Sequence, residues 1–371
     1  MFSPLSAMCA TAAVNAPLDF SPGPGYAEFD ASPAIANLLM TNPVLVEITR
    51  GPLIECCHRG VLAVVSQDGR VVLELGDIAR PVYPRSAVKL LQALPLVESN
   101  AAAAFGFSHK HIALAAASHS GTRNHVEAVR DMLRLTGLDE RALHCGTHLP
   151  RDEAEQRALL LAGAKPEALH HNCSGKHAGM LATARHLGEA IEGYWEVGHP
   201  VQTRIRTVLE DMCGMKIGPD VCGTDGCMVP NWALPAKALG RAYANFGAGS
   251  GFSNDRVAAA RRIIEAAIAA PDYFAGPTRL DTRVLKQFGG AAIVKAGAEG
   301  AYAGTFPEVG LGFALKIDDG ATRAAEAVVS LLIEAFVPAA RGQLPLKTFK
   351  NAQGNEVGVV RPSEVLSRAL G

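Results

Sequence analysis

Hydrophobic positions follow two regimes along the chain. Near both ends they form short Val-, Ile- and Leu-rich runs; between those runs they recur at the three-to-four spacing of a buried helix face. The first regime predicts strands over 43–50, 60–66 and 70–75. The last two are joined through Gln67-Asp68-Gly69, where Asp-Gly favours a hairpin turn. The second regime predicts helices over 86–97, 123–135, 152–162, 175–187, 201–212, 235–244 and 256–269. Strand character returns at 290–296, 301–305 and 312–317. A closing helix over 321–336 follows Asp318-Asp319-Gly320, whose acidic residues suit a positive helix start. Strands at both ends with helices between them are not a βαβ series, and no G-x-G-x-x-G follows a strand. The expected fold is therefore mixed α/β (α+β), an antiparallel sheet assembled from terminal segments around an inserted helical region.

The pattern is absent upstream. Residues 1–39 carry Pro22, Gly23, Pro24, Gly25 and Pro33 but no Lys or Arg, the first basic residue being Arg50. They read as a mobile N-terminal extension, with Met40 an alternative start, ahead of one catalytic domain over 40–371. A secretory or transit peptide needs positive charge at its start, so neither reading fits, and a cytoplasmic location is expected.

With 49% hydrophobic and 19% charged residues, the composition is that of a globular protein. The net charge of −1 and the absence of a basic block point away from nucleic acid, and no uninterrupted apolar run reaches the roughly 18 residues of a membrane span. Eight cysteines in a chain of this length read as reduced thiols or metal ligands and not as a disulfide framework.

Four constellations offer chemistry. In Tyr83-Pro84-Arg85-Ser86-Ala87-Val88-Lys89, Ser86 and Lys89 are three apart and share a helix face. The lysine can take the serine's proton if burial or the positive charge of Arg85 lowers its pKa. Serine β-lactamases use the same S-x-x-K spacing; a helix-capping serine with an exposed lysine is the structural alternative. Ser118-His119-Ser120-Gly121 ends an apolar segment and either lines a pocket or forms a polar turn. Lys295, inside Ala292-Ile293-Val294-Lys295-Ala296, either guards a sheet edge or points into a cavity as a usable base. Finally, Cys173 precedes Ser174, a candidate helix start that would favour a thiolate. General ligand chemistry selects Cys173, His177 and Cys227 as a zinc set, although the 54 positions from Cys173 to Cys227 match no short zinc-finger spacing.

Taken in order, six segments resemble the bacterial asparaginase II family, the Rhizobium etli-type or class 3 L-asparaginases. They are Leu53-Ile54-Glu55-Cys56-Cys57-His58-Arg59-Gly60, Arg85-Ser86-Ala87-Val88-Lys89, Ala117-Ser118-His119-Ser120, His144-Cys145-Gly146, Asn172-Cys173-Ser174-Gly175-Lys176-His177 and Thr224-Asp225-Gly226-Cys227. The resemblance runs from about Met40 to the C-terminus and implies a fold like serine β-lactamases and penicillin-binding proteins, in a homodimer. It implies two catalytic Ser–Lys tandems, Ser86 with Lys89 and Ser118 with Lys295, and a zinc site of Cys173, Lys176 and Cys227. The expected activity is hydrolysis of the side-chain amide of L-asparagine. Ser86 attacks, Ser118 serves as alternative nucleophile or proton relay, and Arg85 and Asp225 hold the substrate's charged groups. A β-lactamase or peptidase-like acyltransfer enzyme is one rival reading, disfavoured by the lack of an S-D-N element; a non-catalytic metal-binding or ligand-sensing protein is the other.

Overall fold

A computed structural model describes residues 42–371; the expected extension over 1–39 lies outside the described residues. Asn42–Gly371 forms one compact unit. Its centre is an antiparallel sheet built from both ends of that unit, as the two regimes of hydrophobicity require. We label its strands β1 (Val44–Arg50), β2 (Leu53–Ser66), β3 (Val71–Leu75), β4 (Ile293–Ala296), β5 (Ala301–Phe306), β6 (Leu311–Ile317), β7 (Thr348–Lys350) and β8 (Glu356–Pro362). The spatial order is β7-β8-β1-β2-β6-β5-β4, with β3 also paired to β2.

Strand β2 is the spine. Its first half pairs with β1, and its second half lies between β6 and β3. Period-2 alternation sends Val61, Ala63 and Val65 into one apolar cluster and Leu62 and Val64 into another. The first cluster is the helical region between β3 and β4. The second is closed mainly by the helix Thr322–Phe336. Both faces of the sheet are thus covered, which explains why β4 and β5 are buried along their whole length.

Five helices matter for the site: α1 (His109–Ala115), α2 (Ser174–His186), α3 (Ala236–Ala248), α4 (Asn254–Ala269) and α5 (Leu280–Phe288). α3 lies directly on the sheet at Gly312 of β6. A Cβ there would overlap the Gly240 carbonyl and the Ala244 amide, both backbone atoms that cannot rotate away. Gly312→Ala is expected to lower unfolding stability by at least ~1–3 kcal/mol, the usual cost of overpacking a filled core. Chemical denaturation reads this, and an unchanged midpoint would show that α3 yields freely.

Several elements differ from the pattern-based expectation. The segment predicted as one helix from 86 is a 3₁₀ turn, Arg85–Val88, followed by short α-helical pieces Lys89–Gln92 and Leu94–Glu98. Strand β2 starts seven residues before the predicted position 60, because its polar and exposed first half still finds a ladder partner in β1. β7 and β8 were not expected at all; β8 pairs with β1 through Val46, Glu47 and Ile48. No helix among the described residues is long and apolar enough to cross a membrane.

Candidate active site

The 3₁₀ turn begins with a strained residue: Arg85 has φ of 53°, a left-handed conformation that costs a side-chain-bearing residue energy and often marks a functional turn. Its guanidinium is held by Asp225, with Nε donating to Oδ1 at 2.7 Å. Just beyond, the Lys89 amide donates to the Ser86 carbonyl. Residues three apart in such a turn project to the same side, which places Ser86 and Lys89 on one face. Ser86 is half-buried and Lys89 fully buried. The turn is fixed from behind by the fully buried Tyr243, whose hydroxyl donates to the Ala87 carbonyl. From the side it is fixed by Gly297, where a Cβ would sit 2.6 Å from the Pro84 carbonyl oxygen. That close approach brings the end of β4 to the Ser86 turn.

β4 is the last strand in the sheet order, yet Lys295 is no edge guard. It shares the inward face of Ile293 and is completely buried. From the other direction, α1 ends in Ala116-Ala117-Ser118 and delivers the Ser118 hydroxyl to the same place. Lys89 Nζ lies 3.0 Å from Ser118 Oγ and also donates to the Ala117 carbonyl at 2.7 Å. Lys295 Nζ lies 3.1 Å from the same hydroxyl and donates to the Ala296 carbonyl at 2.9 Å. The two amines thus meet at one oxygen. The expected division into two separate Ser–Lys pairs takes a different form: Ser118 is shared, and Ser86 makes no hydrogen bond to either lysine. His119 and Ser120, singled out with Ser118 from the sequence, turn elsewhere. His119 Nε2 is 2.9 Å from Ser174 Oγ, and Ser120 donates to the Ala275 carbonyl.

Burial lowers the pKa of both lysines. For Lys295 it brings the value down to about 7; Asp281 pulls it up, and the neighbouring Lys89 and Arg279 push it down. Part of the Lys295 population is therefore a neutral amine, able to accept a proton, at neutral pH.

A second cluster adjoins the first. Lys89 Nζ is 3.1 Å from Cys173 Sγ. Cys173 caps α2, as its sequence position predicted, and faces the positive helix end. Gly175 lets the first turn of α2 press against the Leu114 carbonyl, and His119 N donates to the Asn172 carbonyl, which keeps Cys173 beside Ser118. Across from it, a hairpin of Cys222–Thr224 and Pro230–Trp232 carries Asp225 and Cys227 on its turn. Lys176 Nζ is 3.1 Å from Cys227 Sγ. Donor atoms of Cys173, Asp225 and Cys227 all lie within 4.8 Å of one another. His177, the third ligand that chemistry alone selects, is engaged instead with the Tyr194 hydroxyl through Nδ1 at 2.6 Å.

The two thiols share a hydrogen bond that splits their acidities. That bond, with the charges of Lys89 and Lys176, holds Cys173 well below the usual thiol range against the opposing effect of burial. The same bond and burial push Cys227 up. Burial acts to lower Lys176, but the two cysteines and Asp225 outweigh it and raise its pKa. For Asp225 burial acts upward, and the positive charges of Lys176 and Arg85 bring it below its ordinary value.

A cleft of about 600 Å³ opens next to Arg85, walled by Arg80, Tyr83, Thr224, Lys316 and Asp318. Arg85 and Asp225, expected to hold two different substrate charges, here hold each other. The guanidinium retains its other donors for the cleft.

Comparison with known proteins places this geometry. The L-asparaginase II family matches residues 46–362, most of the chain, and the chain belongs to that family. Among solved structures, one titled "Crystal structure of Mglu in its native form in the presence of 4.3M NaCl" is similar at 14% identity with a TM-score of 0.39. The match covers 72% of this chain and 58% of that one. No curated protein sequence matches.

Proposed function

We propose that the chain is an L-asparaginase, an amidohydrolase that converts L-asparagine to L-aspartate and ammonia through a serine–lysine device. The observation that carries this reading is the Ser118 hydroxyl held between Lys89 and Lys295 at 3.0 and 3.1 Å, with Lys89 three residues after Ser86, in a member of the L-asparaginase II family. A hydroxyl with amines on two sides is suited to pass protons between them and a reacting group. Ser86, more accessible than Ser118 and on the same face of the turn as Lys89, is the nucleophile.

The steps follow from these roles. Lys89 takes the Ser86 proton as Ser86 Oγ attacks the side-chain amide carbon. Backbone N–H groups near the turn stabilise the oxyanion, an effect usually amounting to a few kcal/mol. The relay Lys89–Ser118–Lys295 returns a proton to the amide nitrogen, the C–N bond breaks, and ammonia leaves a β-aspartyl ester on Ser86. The same relay then takes a proton from water, which attacks the ester; as the acyl–Oγ bond breaks the relay returns that proton to Ser86 Oγ, and aspartate is released. Arg85 offers its free donors to the substrate carboxylate, and Asp225 faces the α-amino group. A sheet made from chain termini, an S-x-x-K turn, a second serine and a strand lysine together support a scaffold of the serine β-lactamase and penicillin-binding-protein kind.

Cys173, Lys176 and Cys227, with Asp225 beside them, fit zinc: two buried sulfurs with an amine and an oxygen within reach. When bound, the ion supplies fixed positive charge and keeps both sulfurs as thiolates. Lys176 must give up its proton to become a ligand. A cytoplasmic homodimer acting on a small molecule completes the reading.

Ammonia release by the purified full chain tests it. L-Asparagine is expected to be hydrolysed in preference to L-glutamine, with kcat/KM rising on a limb near pH 7 as the Lys295 ammonium deprotonates. Absence of ammonia release, or a stable penicillin adduct on Ser86 in its place, would refute the assignment.

A further inference from the structure

A carboxylate outside the predicted site lies directly behind Lys295. Asp281 opens α5 and is completely buried, as is Lys295. Both its oxygens are engaged: Oδ1 accepts the Ala296 N–H at 2.7 Å, and Oδ2 accepts the Tyr302 hydroxyl at 2.8 Å. Oδ1 also stands 4.0 Å from Lys295 Nζ. We propose that Asp281 is the positioning residue of the relay, fixing the end of β4 so that Lys295 meets Ser118 and holding the amine's charge balance by its own negative charge.

The geometry supports this in two ways. Ala296 is the residue next to Lys295, and its carbonyl accepts from Lys295 Nζ while its amide donates to Asp281. The carboxylate therefore grips the same peptide segment that orients the lysine. β4 is also the last strand in the sheet order, so the Ala296 N–H finds its partner on α5 and not on a further strand. Tyr302, opposite Ala296 in the β4–β5 register, fixes the second oxygen and so the carboxylate's orientation.

The electrostatic half rests on what surrounds the amine. Facing Lys295 are Asp281 from α5, Lys89 from the Ser86 segment, Arg279 from the residues before α5, Cys173 from the cap of α2, and the Phe274 ring at 5.6 Å. Of the groups that raise the Lys295 pKa Asp281 acts most strongly, and it opposes in part the lowering by burial and two cations. An opposite charge within about 4–6 Å typically moves a pKa by about 1–3 units. Without it, the Lys295 amine is expected to lose its proton at lower pH, and the limb on which kcat/KM rises is expected to move down with it.

This inference rests on the relay proposed above, and two separate readouts keep the two distinguishable. In the full chain, the Lys295 13Cε resonance, assigned by Lys295→Arg, is followed against pH in the parent and in Asp281→Asn. Asparagine turnover is measured on the same samples. The expected result is a Lys295 midpoint near 7 in the parent, lowered by roughly one unit or more in Asp281→Asn. The pH–rate limb is expected to move with it, and KM to change less than kcat. An unmoved midpoint overturns the role of Asp281 whatever the turnover. A lowered midpoint with an unmoved rate limb upholds the charge coupling and counts against the relay instead. Should Asp281→Asn not fold, Tyr302→Phe keeps the carboxylate and removes the hydroxyl that orients it; a shifted Lys295 midpoint supports the proposal, and an unmoved one contradicts it.

Discussion

Ser118→Ala is expected to lower asparagine turnover by roughly 10²–10⁴-fold, the usual share of a positioned proton-transfer group, while the melting temperature stays within a few degrees of the parent. The expectation follows from one shared oxygen. Lys89 and Lys295 both bond to Ser118 Oγ, and each has a carbonyl as further acceptor, Ala117 or Ala296. Removing the hydroxyl therefore severs the connection between the amines but leaves each with a partner, so the fold should tolerate it. Ser86→Ala should cost more, because it removes the proposed nucleophile. Intact-protein mass spectrometry separates the two: Ser118→Ala should accumulate the β-aspartyl ester if its slowest step is deacylation, and Ser86→Ala should never form it. Near-normal turnover in Ser118→Ala would mean that the shared hydroxyl is only structural.

Cys173→Ala is the second large expected change. It deletes one of the two sulfurs of the proposed zinc site and leaves Cys227, Lys176 and Asp225. Elemental analysis of protein purified with zinc supplied should fall from near one equivalent per chain to a small fraction of that. Outer partners of metal sites alone are worth about 10–100-fold in affinity, so loss of a direct ligand should cost at least as much. Lys89 should also respond, because Cys173 Sγ is one of its three hydrogen-bond partners. Turnover is thus expected to fall even with zinc in excess. Zinc retained at one equivalent in Cys173→Ala would remove this cluster from consideration as the metal site.

How much of this could be read from the sequence depends on range. The S-x-x-K turn was legible because both residues belong to one local element, and Cys173 as a helix cap was legible for the same reason. The burial of Lys295 was half legible: its apolar neighbours allowed a cavity, but only the sheet order and the face shared with Ile293 decide between cavity and edge. That both lysines meet Ser118 was not legible, since the three residues lie 29 and 177 positions apart along the chain. Asp281 gave no local signal either. It looks like an acidic residue favouring a helix N-terminus, and only the fold turns it inward to the backbone of β4. Strands β7 and β8 have no strong apolar alternation to mark them; β8 is ordered by its pairing with β1, and β7 by its pairing with β8. His177 was chosen over Lys176 as a ligand by side-chain chemistry, and the tertiary partner Tyr194 redirects it.

The central claim is that Lys89, Ser118 and Lys295 work as one unit in asparagine hydrolysis, and a mutant cycle tests this most directly. Ammonia release from L-asparagine is compared for the parent, Ser118→Ala, Lys295→Met and the double variant, all shown to be folded. Groups that act together lose activity non-additively, so the double variant should be scarcely slower than the worse single one. Losses that multiply, or a parent that releases no ammonia, would contradict the account.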